Sequence, residues 1–282
     1  MSKKQLYYLL GFGLLVIIPL TLAIFLGTSS DGSDSSNGNN SDQNGDNKQD
    51  EQKDGQNNDQ ENGQKDEQKE QKIYWGVDSA SNSDKNLYQC TADNFGKPSV
   101  WGRYLGDKEG VSIGLDKDEA AFLHDKDVQI LLIYNHFTDA TGYDHGVKEA
   151  EKAIEYAKNL DVPEGVAIFG DIEPSFPVDS AFMEGWYDTL ADSNYEPGFY
   201  GVYDKGSALL EAYNAMKEKA QKNTVVWTAQ PQQEPTTKSN APDYNPQGPE
   251  NAMLYGWQYG IEAEQCSIDT NLFQNELLDY LW

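Results

Sequence analysis

The sequence predicts an α/β fold, a modified (β/α)8 TIM-like barrel that occupies residues 73–282. Short apolar segments with strand character recur eight times in this region, and helical patterns separate the earlier ones. Such alternation is typical of a parallel sheet, and eight strands favour a closed barrel over an open sheet. Helical patterns are largely missing between the last three segments. We therefore expect five β/α units followed by three strands that largely lack helices.

The individual elements follow from short-range patterns. The predicted strands span residues 73–77, 100–104, 128–134, 166–172, 198–203, 224–228, 253–259 and 267–271. The predicted helices, with apolar residues at helical spacing, span residues 86–94, 116–126, 146–160, 179–190 and 207–220. Ser207 would cap the last of these helices. Residues 230–250 are rich in Pro, Gln, Asn and Thr and indicate a long loop, whereas residues 260–265 are too few for a crossover helix.

The N-terminal region has the composition of a membrane anchor. Lys3 and Lys4 precede an uncharged, mostly apolar segment at residues 6–27, which is long enough to cross the roughly 30 Å hydrocarbon core as a helix. The segment is longer than the apolar region of a cleaved signal peptide and has no good small-x-small site, so we favour a signal anchor over a cleaved signal. The lysines predict that residues 1–5 are cytoplasmic. We expect a single-pass protein of the cell membrane with an extracellular C-terminal domain.

Residues 28–72 are predicted to form a disordered, acidic linker. They consist almost wholly of Ser, Asn, Gln, Asp, Gly, Glu and Lys, so this segment has nothing to bury against the entropy of ordering. The linker would hold the following domain away from the membrane. The formal net charge of the whole chain is −26, and the acidic excess argues against nucleic acid as a partner.

The globular region contains both cysteines and all three histidines. Cys90 and Cys266 would either pair, as extracellular cysteines often do, or remain two buried thiols, and the sequence leaves both alternatives open. His124, His136 and His145 lack the spacing of a zinc site, and no P-loop or GxGxxG motif is present. We therefore expect no metal and no cofactor, and we expect a monomer.

The strongest functional signal is a pair of acids at the end of a predicted strand. Asp171 and Glu173 follow the apolar run 166–170, and Pro174 would end the strand just beyond them. Because side chains alternate in direction along a strand, both carboxyl groups should point to the same side. One alternative is structural: one acid caps the next helix and the other pairs with a buried arginine. We favour a functional pair, because acids with perturbed pKa values cluster at functional sites.

Polar and aromatic residues also lie at the ends of the other strands, which meet at one face of a barrel. They are Asp78, Arg103, Tyr134, Asn135, Tyr200, Trp227, Gln230, Gln258, Tyr259 and Asp269. Together with the acid pair they place four carboxyl groups and an aromatic rim at one face. Glycoside hydrolysis needs a proton donor and a negative group beside an oxocarbenium-like transition state, and sugar rings need flat apolar surfaces. No GxSxG motif supports a serine hydrolase.

Several motifs carry a resemblance to a known family. They are GVDSAS at 76–81, FGKP at 95–98, WGRYL at 101–105, IFGDIEP at 168–174, GFYG at 198–201, WQY at 257–259 and IDTN at 268–271. In this order they resemble the bacterial glycoside hydrolase-like domain family of unassigned function, related in fold to the family-25 muramidases (cell-wall lysozymes). The resemblance covers about residues 74–282 and implies a barrel in which five strands are followed by helices and three are not.

The resemblance also implies roles for the acids. Glu173 matches the general acid of the muramidases, and Asp171 matches the acid thought to steady the substrate's 2-acetamido group during substrate-assisted retention. Asp78 and Asp269 match flanking carboxylates on the first and last strands. Arg103 lies on the same rim in the closer family, where it could pair with an acid and lower its pKa. A permanently ionised Glu173 would be a poor proton donor.

We therefore expect a membrane-tethered, extracellular, muramidase-like glycosidase that acts on peptidoglycan or another cell-envelope glycan. Glu173, Asp171, Asp78 and Asp269 would carry catalysis. The expected substrate-binding residues are Arg103, Tyr134, Asn135, Tyr200, Trp227, Gln230, Gln258 and Tyr259. The alternative is a non-catalytic glycan-binding module or an envelope scaffold that retains the barrel.

Overall fold

The computed structural model describes residues 72–282. The predicted cytoplasmic segment at residues 1–5, the membrane anchor at 6–27 and nearly all of the linker at 28–72 lie outside the described residues. In the part that the structure describes, no helix has the length and apolar character needed to cross a membrane.

The described region contains eight strands and six α-helices in an order close to the expected one. The strands are β1 (Ile73–Asp78), β2 (Val100–Tyr104), β3 (Gln129–Tyr134), β4 (Ala167–Ile172), β5 (Glu196–Gly201), β6 (Val225–Thr228), β7 (Met253–Gly260) and β8 (Asp269–Gln274). The helices are α1 (Lys85–Asn94), α2 (Lys117–His124), α3 (Tyr143–Asn159), α4 (Ser180–Ala191), α5 (Ala208–Asn214) and α6 (Glu218–Lys222). Each of the first five strands is followed by a helix, and a long loop with one 3₁₀ turn joins β6 to β7.

The strands close into a barrel in chain order, which confirms the predicted barrel. Strands β1 to β7 run parallel, whereas β8 runs antiparallel to both β7 and β1. The sheet is therefore not wholly parallel. Only residues 261–268 separate β7 from β8, and a parallel return needs a crossover of a dozen or more residues. As a result the first residue of β8, Asp269, pairs in register with the last residue of β1, Asp78.

Side-chain alternation divides the core into two apolar clusters. In β4, Ala167 and Phe169 belong to the cluster inside the barrel, and Ile168 and Ile172 belong to the cluster between strands and helices. Because alternate side chains of a strand point in the same direction, Asp171 faces the barrel interior as Ala167 and Phe169 do. The inner cluster fills the barrel below the ends of the strands, so inward-facing residues at those ends line a shallow mouth.

Most boundaries differ from the predicted ones by one to three residues, and two differences have local reasons. The predicted strand at 267–271 begins only at Asp269, because Ser267 has a left-handed φ of 49° and ends the preceding turn. The predicted helix at 207–220 divides into α5 and α6 at Lys217, which is extended. The Lys217 N–H donates to Glu184 Oε1 at 2.9 Å, and this contact stabilises the break.

A disulfide bond joins Cys90 in α1 to Cys266 in the β7–β8 loop. The two Cα atoms lie 5.8 Å apart, and the cysteines are separated by 176 residues in sequence. The bond thus ties the first helix to the loop that leads directly into Asp269.

Candidate active site

Four carboxyl groups meet at the mouth of the barrel. Asp78 ends β1, Asp269 begins β8, Asp171 lies near the end of β4, and Glu173 follows one residue after that strand. Alternation places all four on inward positions. The acids influence one another electrostatically: Glu173 and Asp78 raise the pKa of Asp171, and Asp78 and Glu173 raise the pKa of Asp269. The structure therefore brings together the four acids that the sequence singled out.

Asp78 and Asp269 share a network of amide donors. Gln258 Nε2 donates to Asp78 Oδ1 at 3.0 Å and to Asp269 Oδ2 at 3.2 Å, and Asn271 Nδ2 donates to Asp78 Oδ1 at 2.7 Å. The backbone N–H of Glu262 donates to Asp269 Oδ1 at 2.6 Å. Burial nevertheless raises the pKa of Asp78 to about 6, and burial together with the negative charge of Asp78 raises the pKa of Asp269 to about 8. This half of the mouth can therefore hold a proton near neutral pH.

Asp171 and Glu173 lie in a different environment, without amide donors. Asp171 is 5% exposed, and in the described residues its Oδ1 atom has no hydrogen-bond partner. Burial, followed by the charge of Glu173, raises the pKa of Asp171 well above its ordinary value. The Glu173 side chain is exposed, but the surrounding mouth desolvates its carboxyl group enough to raise its pKa as well. The exposed acid is the one that an incoming ligand reaches first.

Lys108 is a charged neighbour of this pair that the sequence did not reveal. Its Nζ atom donates to the backbone carbonyl oxygens of Asn135 and, at 3.4 Å, of Phe137. Its positive charge lowers the pKa of both Asp171 and Glu173, which opposes the effect of burial. Lys108 lies in the loop between β2 and α2, where no strand end or periodic pattern marks it.

Tyr104 is a second site residue that was missed. It is partly buried at the end of β2, and burial followed by the charges of the nearby acids raises the pKa of its hydroxyl group well above its ordinary value. Strand alternation could have identified it. Val100 belongs to the inner cluster, so Tyr104, four residues later, shares its inward direction.

Two predicted aromatic residues do face the barrel interior. The hydroxyl group of Tyr200 donates to Gln258 Oε1 at 2.6 Å, and its ring centroid lies 4.2 Å from that of Trp227. Trp227 Nε1 donates to Asn271 Oδ1 at 2.9 Å. Trp227 is only 1% exposed, so its ring supports Tyr200 and Asn271 from below and presents no free face to a ligand. Tyr200 and Gln258 are the better-placed members of the predicted binding set.

Two other aromatic residues require a correction, because they lie on the outer face of the barrel. The hydroxyl group of Tyr134 donates to Glu149 Oε2 of α3 at 2.7 Å, and Tyr259 accepts a hydrogen bond from Trp75 Nε1 at 3.0 Å. Both tyrosines are fully buried between the strands and the helices. Neither tyrosine therefore lines the mouth. A position at the end of a strand does not specify whether the side chain faces the barrel interior or the helices.

Arg103 is also corrected, from a rim residue to a buried one. It is 0% exposed and lies on the outward side of β2. Its Nε atom contacts Glu119 Oε1 of α2 at 2.5 Å, Nη1 donates to the Ser79 carbonyl at 2.5 Å, and Nη2 donates to the Ile113 carbonyl at 2.9 Å. Arg103 therefore pairs with Glu119 and not with Glu173. Within the described residues it forms no ion pair that would keep Glu173 ionised and prevent it from donating a proton.

The remaining predicted binding residues, Asn135 and Gln230, lie near the mouth, and each already forms a hydrogen bond within the protein. Asn135 is buried, and its Nδ2 atom donates to Ser112 Oγ at 3.1 Å, whereas its Oδ1 atom has no partner in the described residues. Gln230 is partly buried, and its Nε2 atom donates to Asp204 Oδ2 at 3.0 Å. Asn135 thus keeps one buried acceptor without a partner in this part of the chain, and Gln230 shapes the β5–α5 loop.

A cleft of about 380 Å³ opens beside Glu173. Its walls come from the segment that follows β4, residues 172–178, and from the segment that follows β5, residues 202–209. Asp78, Asp171 and Asp269 do not line this cleft. Glu173 therefore lies where the acid cluster and the cleft meet.

No cluster of three or more His, Cys, Asp or Glu residues is arranged to hold a metal ion within residues 72–282. The side chains at the mouth carry carboxyl, amide, phenol and ammonium groups.

Comparisons with known proteins place this site in a family. The model of the Rv2525c-like glycoside hydrolase-like domain family matches residues 98–271. A comparison with curated proteins found no match. Among solved structures, an uncharacterized B. stearothermophilus protein is 38% identical with a TM-score of 0.72, and the match covers 74% of this chain and 100% of that chain.

Two further solved structures are more distant. The Mycobacterium tuberculosis Tat-secreted protein Rv2525c is 12% identical with a TM-score of 0.46, over 70% of this chain and 94% of that chain. A muramidase from Acremonium alcalophilum is 12% identical with a TM-score of 0.45, over 71% of this chain and 93% of that chain. At this distance no residue role is transferred from either protein.

Proposed function

Because the chain belongs to the Rv2525c-like glycoside hydrolase-like domain family, we propose that it is a glycosidase that hydrolyses peptidoglycan or a similar cell-envelope glycan. One observation carries the proposal: Asp78, Asp171, Glu173 and Asp269 meet at the barrel mouth, and each has a raised pKa. Glycoside hydrolysis uses one carboxyl group that stays protonated near neutral pH and a second one that is ionised beside the sugar.

Glu173 is the proposed proton donor. It is the exposed member of the cluster, so a glycosidic oxygen can reach its carboxyl group. Its raised pKa keeps a larger fraction protonated at neutral pH than an ordinary glutamate would have. When the glycosidic bond breaks, the proton moves to the leaving oxygen and Glu173 becomes a carboxylate that can later accept a proton from the attacking water.

Asp171 is the proposed stabilising acid. It lies two residues before Glu173 on the same face, and its Oδ1 atom has no partner among the described residues. The ionised carboxyl group of Asp171 would accept a hydrogen bond from the N–H of a 2-acetamido group, which would orient the acetamido carbonyl oxygen towards the anomeric carbon. An ionised Asp171 would stabilise the positive charge that develops as the glycosidic bond breaks and the acetamido carbonyl oxygen bonds to the anomeric carbon.

Asp78 and Asp269 are proposed to set the charge and geometry of the opposite wall. Gln258 links the two acids, and the Tyr200 hydroxyl group holds Gln258 in place. This wall can therefore bind sugar hydroxyl groups with groups of fixed orientation. Because the pKa values of both acids are raised, to about 6 and about 8, this wall can gain or lose a proton near neutral pH.

The first test is clearing of cell-wall material in a gel overlay by the full chain. The wild type should clear the wall, and Glu173→Gln should lower the rate by roughly 10²- to 10⁴-fold because it removes the proton donor. Glu211→Gln, at an exposed position on α5, is the matched control and should clear normally. If the wild type binds wall material and never clears it, the protein is a glycan-binding module; if it does neither, an envelope scaffold is favoured.

We also propose that residues 6–27 anchor the protein in the cell membrane with the barrel outside and monomeric. The Cys90–Cys266 disulfide supports an oxidising compartment, because disulfides are rare in the cytosol. Protease added to intact cells should digest the barrel while a cytoplasmic marker survives. Protection of the barrel in intact cells would contradict this location.

A further inference from the structure

The cleft beside Glu173 has the size of a binding site. Its volume of about 380 Å³ lies within the range of roughly 300–1,000 Å³ that is typical of small-ligand sites. Glu173 forms one end of the cleft and also belongs to the acid cluster. Any glycan whose scissile bond reaches Glu173 therefore places a neighbouring group at the cleft entrance.

The lining of the cleft is mostly aliphatic. The apolar part of this lining comes from Ile172, Pro174, Phe176, Val178, Val202 and Leu209, with Ala208 beside them. Sugar rings bind best on flat aromatic faces that carry polar groups nearby, and Phe176 is the one aromatic side chain in this lining. Aliphatic walls instead suit methyl-sized groups, which gain from burial in proportion to their apolar area.

The rim of the cleft is polar and carries charges of both signs. Asp204, Lys205 and Ser207 of the β5–α5 loop and Glu173 after β4 all line the cleft. Among the described residues Lys205 forms no ion pair, and the Asp204 carboxylate accepts one hydrogen bond, from Gln230. A long acyl chain would leave these groups without partners, whereas a short peptide has methyl groups for the walls and amide and charged groups for the rim.

We propose that this cleft binds a short peptide substituent of the glycan, next to the sugar held at Glu173. The assignment rests on the proposed function, because it names the class of glycan: one whose sugars carry peptides. The acid cluster would then act on the glycosidic bond while the cleft selects chains that still bear their peptides.

The test uses a substitution that fills the cleft and leaves the four acids of the barrel mouth unchanged. Ala208 is exposed at the start of α5 and lines the cleft, so Ala208→Trp should place an indole ring there at little cost to folding. Ala191→Trp, at the exposed C-terminal end of α4, is the matched control. Both full-length variants would be assayed on intact peptidoglycan and on the same glycan after enzymatic removal of its peptides.

Ala208→Trp should lower kcat/KM on the peptide-bearing glycan by about tenfold or more and leave the stripped glycan unaffected, because the lost contacts are those of a hydrophobic pocket. Ala191→Trp should behave as the wild type on both. Equal losses of Ala208→Trp on both glycans, or no loss on either, would overturn the assignment. A thermal melt checks that the variants remain folded.

A binding measurement separates this proposal from the hydrolase proposal. The probes are a disaccharide tetrapeptide released from peptidoglycan and the same disaccharide without peptide, titrated into the full chain by calorimetry. The tetrapeptide form should bind more tightly, and Ala208→Trp should remove that difference. If the wild type hydrolyses no glycan but shows this pattern, the cleft assignment stands and hydrolysis fails. If the two probes bind equally to the wild type, the cleft assignment fails.

Discussion

Lys108 shows how a single ammonium group can adjust the acids at the barrel mouth. The side chain is held by the carbonyl oxygens of Asn135 and Phe137, and its charge lowers the pKa of Asp171 and Glu173. Burial raises both pKa values, so the two effects oppose each other. The balance determines the pH range in which one acid is protonated while the other can be ionised.

Lys108→Met should move the pH profile of wall hydrolysis to higher pH by about one unit or less, because both acids lose a stabilising positive charge. Lys108→Arg keeps the charge and should restore most of the wild-type profile. The measurement is kcat/KM between pH 4 and pH 9. Carboxyl ¹³C chemical shifts, followed over the same range, report the titration of the acids without reference to activity. An unchanged profile together with unchanged titration would exclude this role.

The residues also show which site predictions the sequence supports. Asp171 and Glu173 could be predicted because they occupy alternate positions in one strand, so their common direction follows from chain geometry. Arg103 could not be assigned from strand-end position alone. Gly102 determines which residues of β2 face the barrel interior. An added Cβ at Gly102 would lie 2.7 Å from Asp78 Cβ, so Gly102 faces Asp78 and its neighbour Arg103 faces the helices.

At the scale of elements, the Arg103–Glu119 pair holds β2, α2 and two loops together. Arg103 also donates to the carbonyls of Ser79 and Ile113, which belong to the segment after β1 and to the loop that carries Lys108. Both charged side chains are almost completely buried, at 0% and 2% exposure. Such a pair positions the surrounding backbone, and loss of one partner leaves an uncompensated buried charge.

Glu119→Gln should therefore lower the free energy of unfolding by about 3–5 kcal/mol. Lys117→Gln breaks the Lys117–Asp161 pair, whose side chains are 55% and 78% exposed, and should cost less than about 1 kcal/mol. Urea unfolding of both variants measures the difference. Similar small losses in the two variants would show that the buried pair is not a structural anchor.

The elements themselves were more predictable than their directions. Apolar runs and helical spacing located all eight strands, because strand burial and helix periodicity are local properties of the chain. The reversal of β8 depends on a different quantity, the length of its connection. Residues 260–265 were expected to be too few for a crossover helix, and the observed connection, residues 261–268, is also short. The antiparallel pairing of β8 with β1 depends in addition on barrel closure, which brings together the two ends of the domain.

At the scale of the whole molecule, the acid cluster should make stability depend on pH. The pKa of Asp78 is raised from 3.8 to about 6, and that of Asp269 is raised from 3.8 to about 8. Between about pH 4 and pH 8 the folded protein thus holds protons that the unfolded chain has released. Stability therefore falls as the pH rises through this range, by about 1.4 kcal/mol per pH unit for each proton retained.

Asp269→Asn should flatten this dependence, because the amide stays neutral at every pH. The variant should gain stability relative to the wild type as the pH rises from 4 to 8. Asp243→Asn, at an exposed loop position, is the control and should leave the wild-type slope unchanged. Thermal unfolding at five pH values provides the measurement. A constant difference between Asp269→Asn and the wild type would show that Asp269 ionises normally.

The disulfide is a second global feature, since it joins positions 176 residues apart. Replacement of Cys90 and Cys266 by serine should lower the free energy of unfolding by about 2–5 kcal/mol, because the unfolded chain gains freedom. Urea unfolding of the double variant would measure this loss, and reductant should destabilise the wild type by a similar amount. A wild type that is insensitive to reductant and equal in stability to the double variant would contradict the expectation.

The antiparallel course of β8 also determines where the domain can be attached to a support or fused to another protein. Ile73 pairs with Gln274 at the end of the barrel opposite Asp78 and Asp269, and Trp282 exchanges backbone hydrogen bonds with Ile130 near the start of β3. Both extremities of the barrel domain therefore emerge at its base. A support, label or fused protein attached at either extremity should leave the barrel mouth unobstructed, so immobilised barrels should present their acids outward.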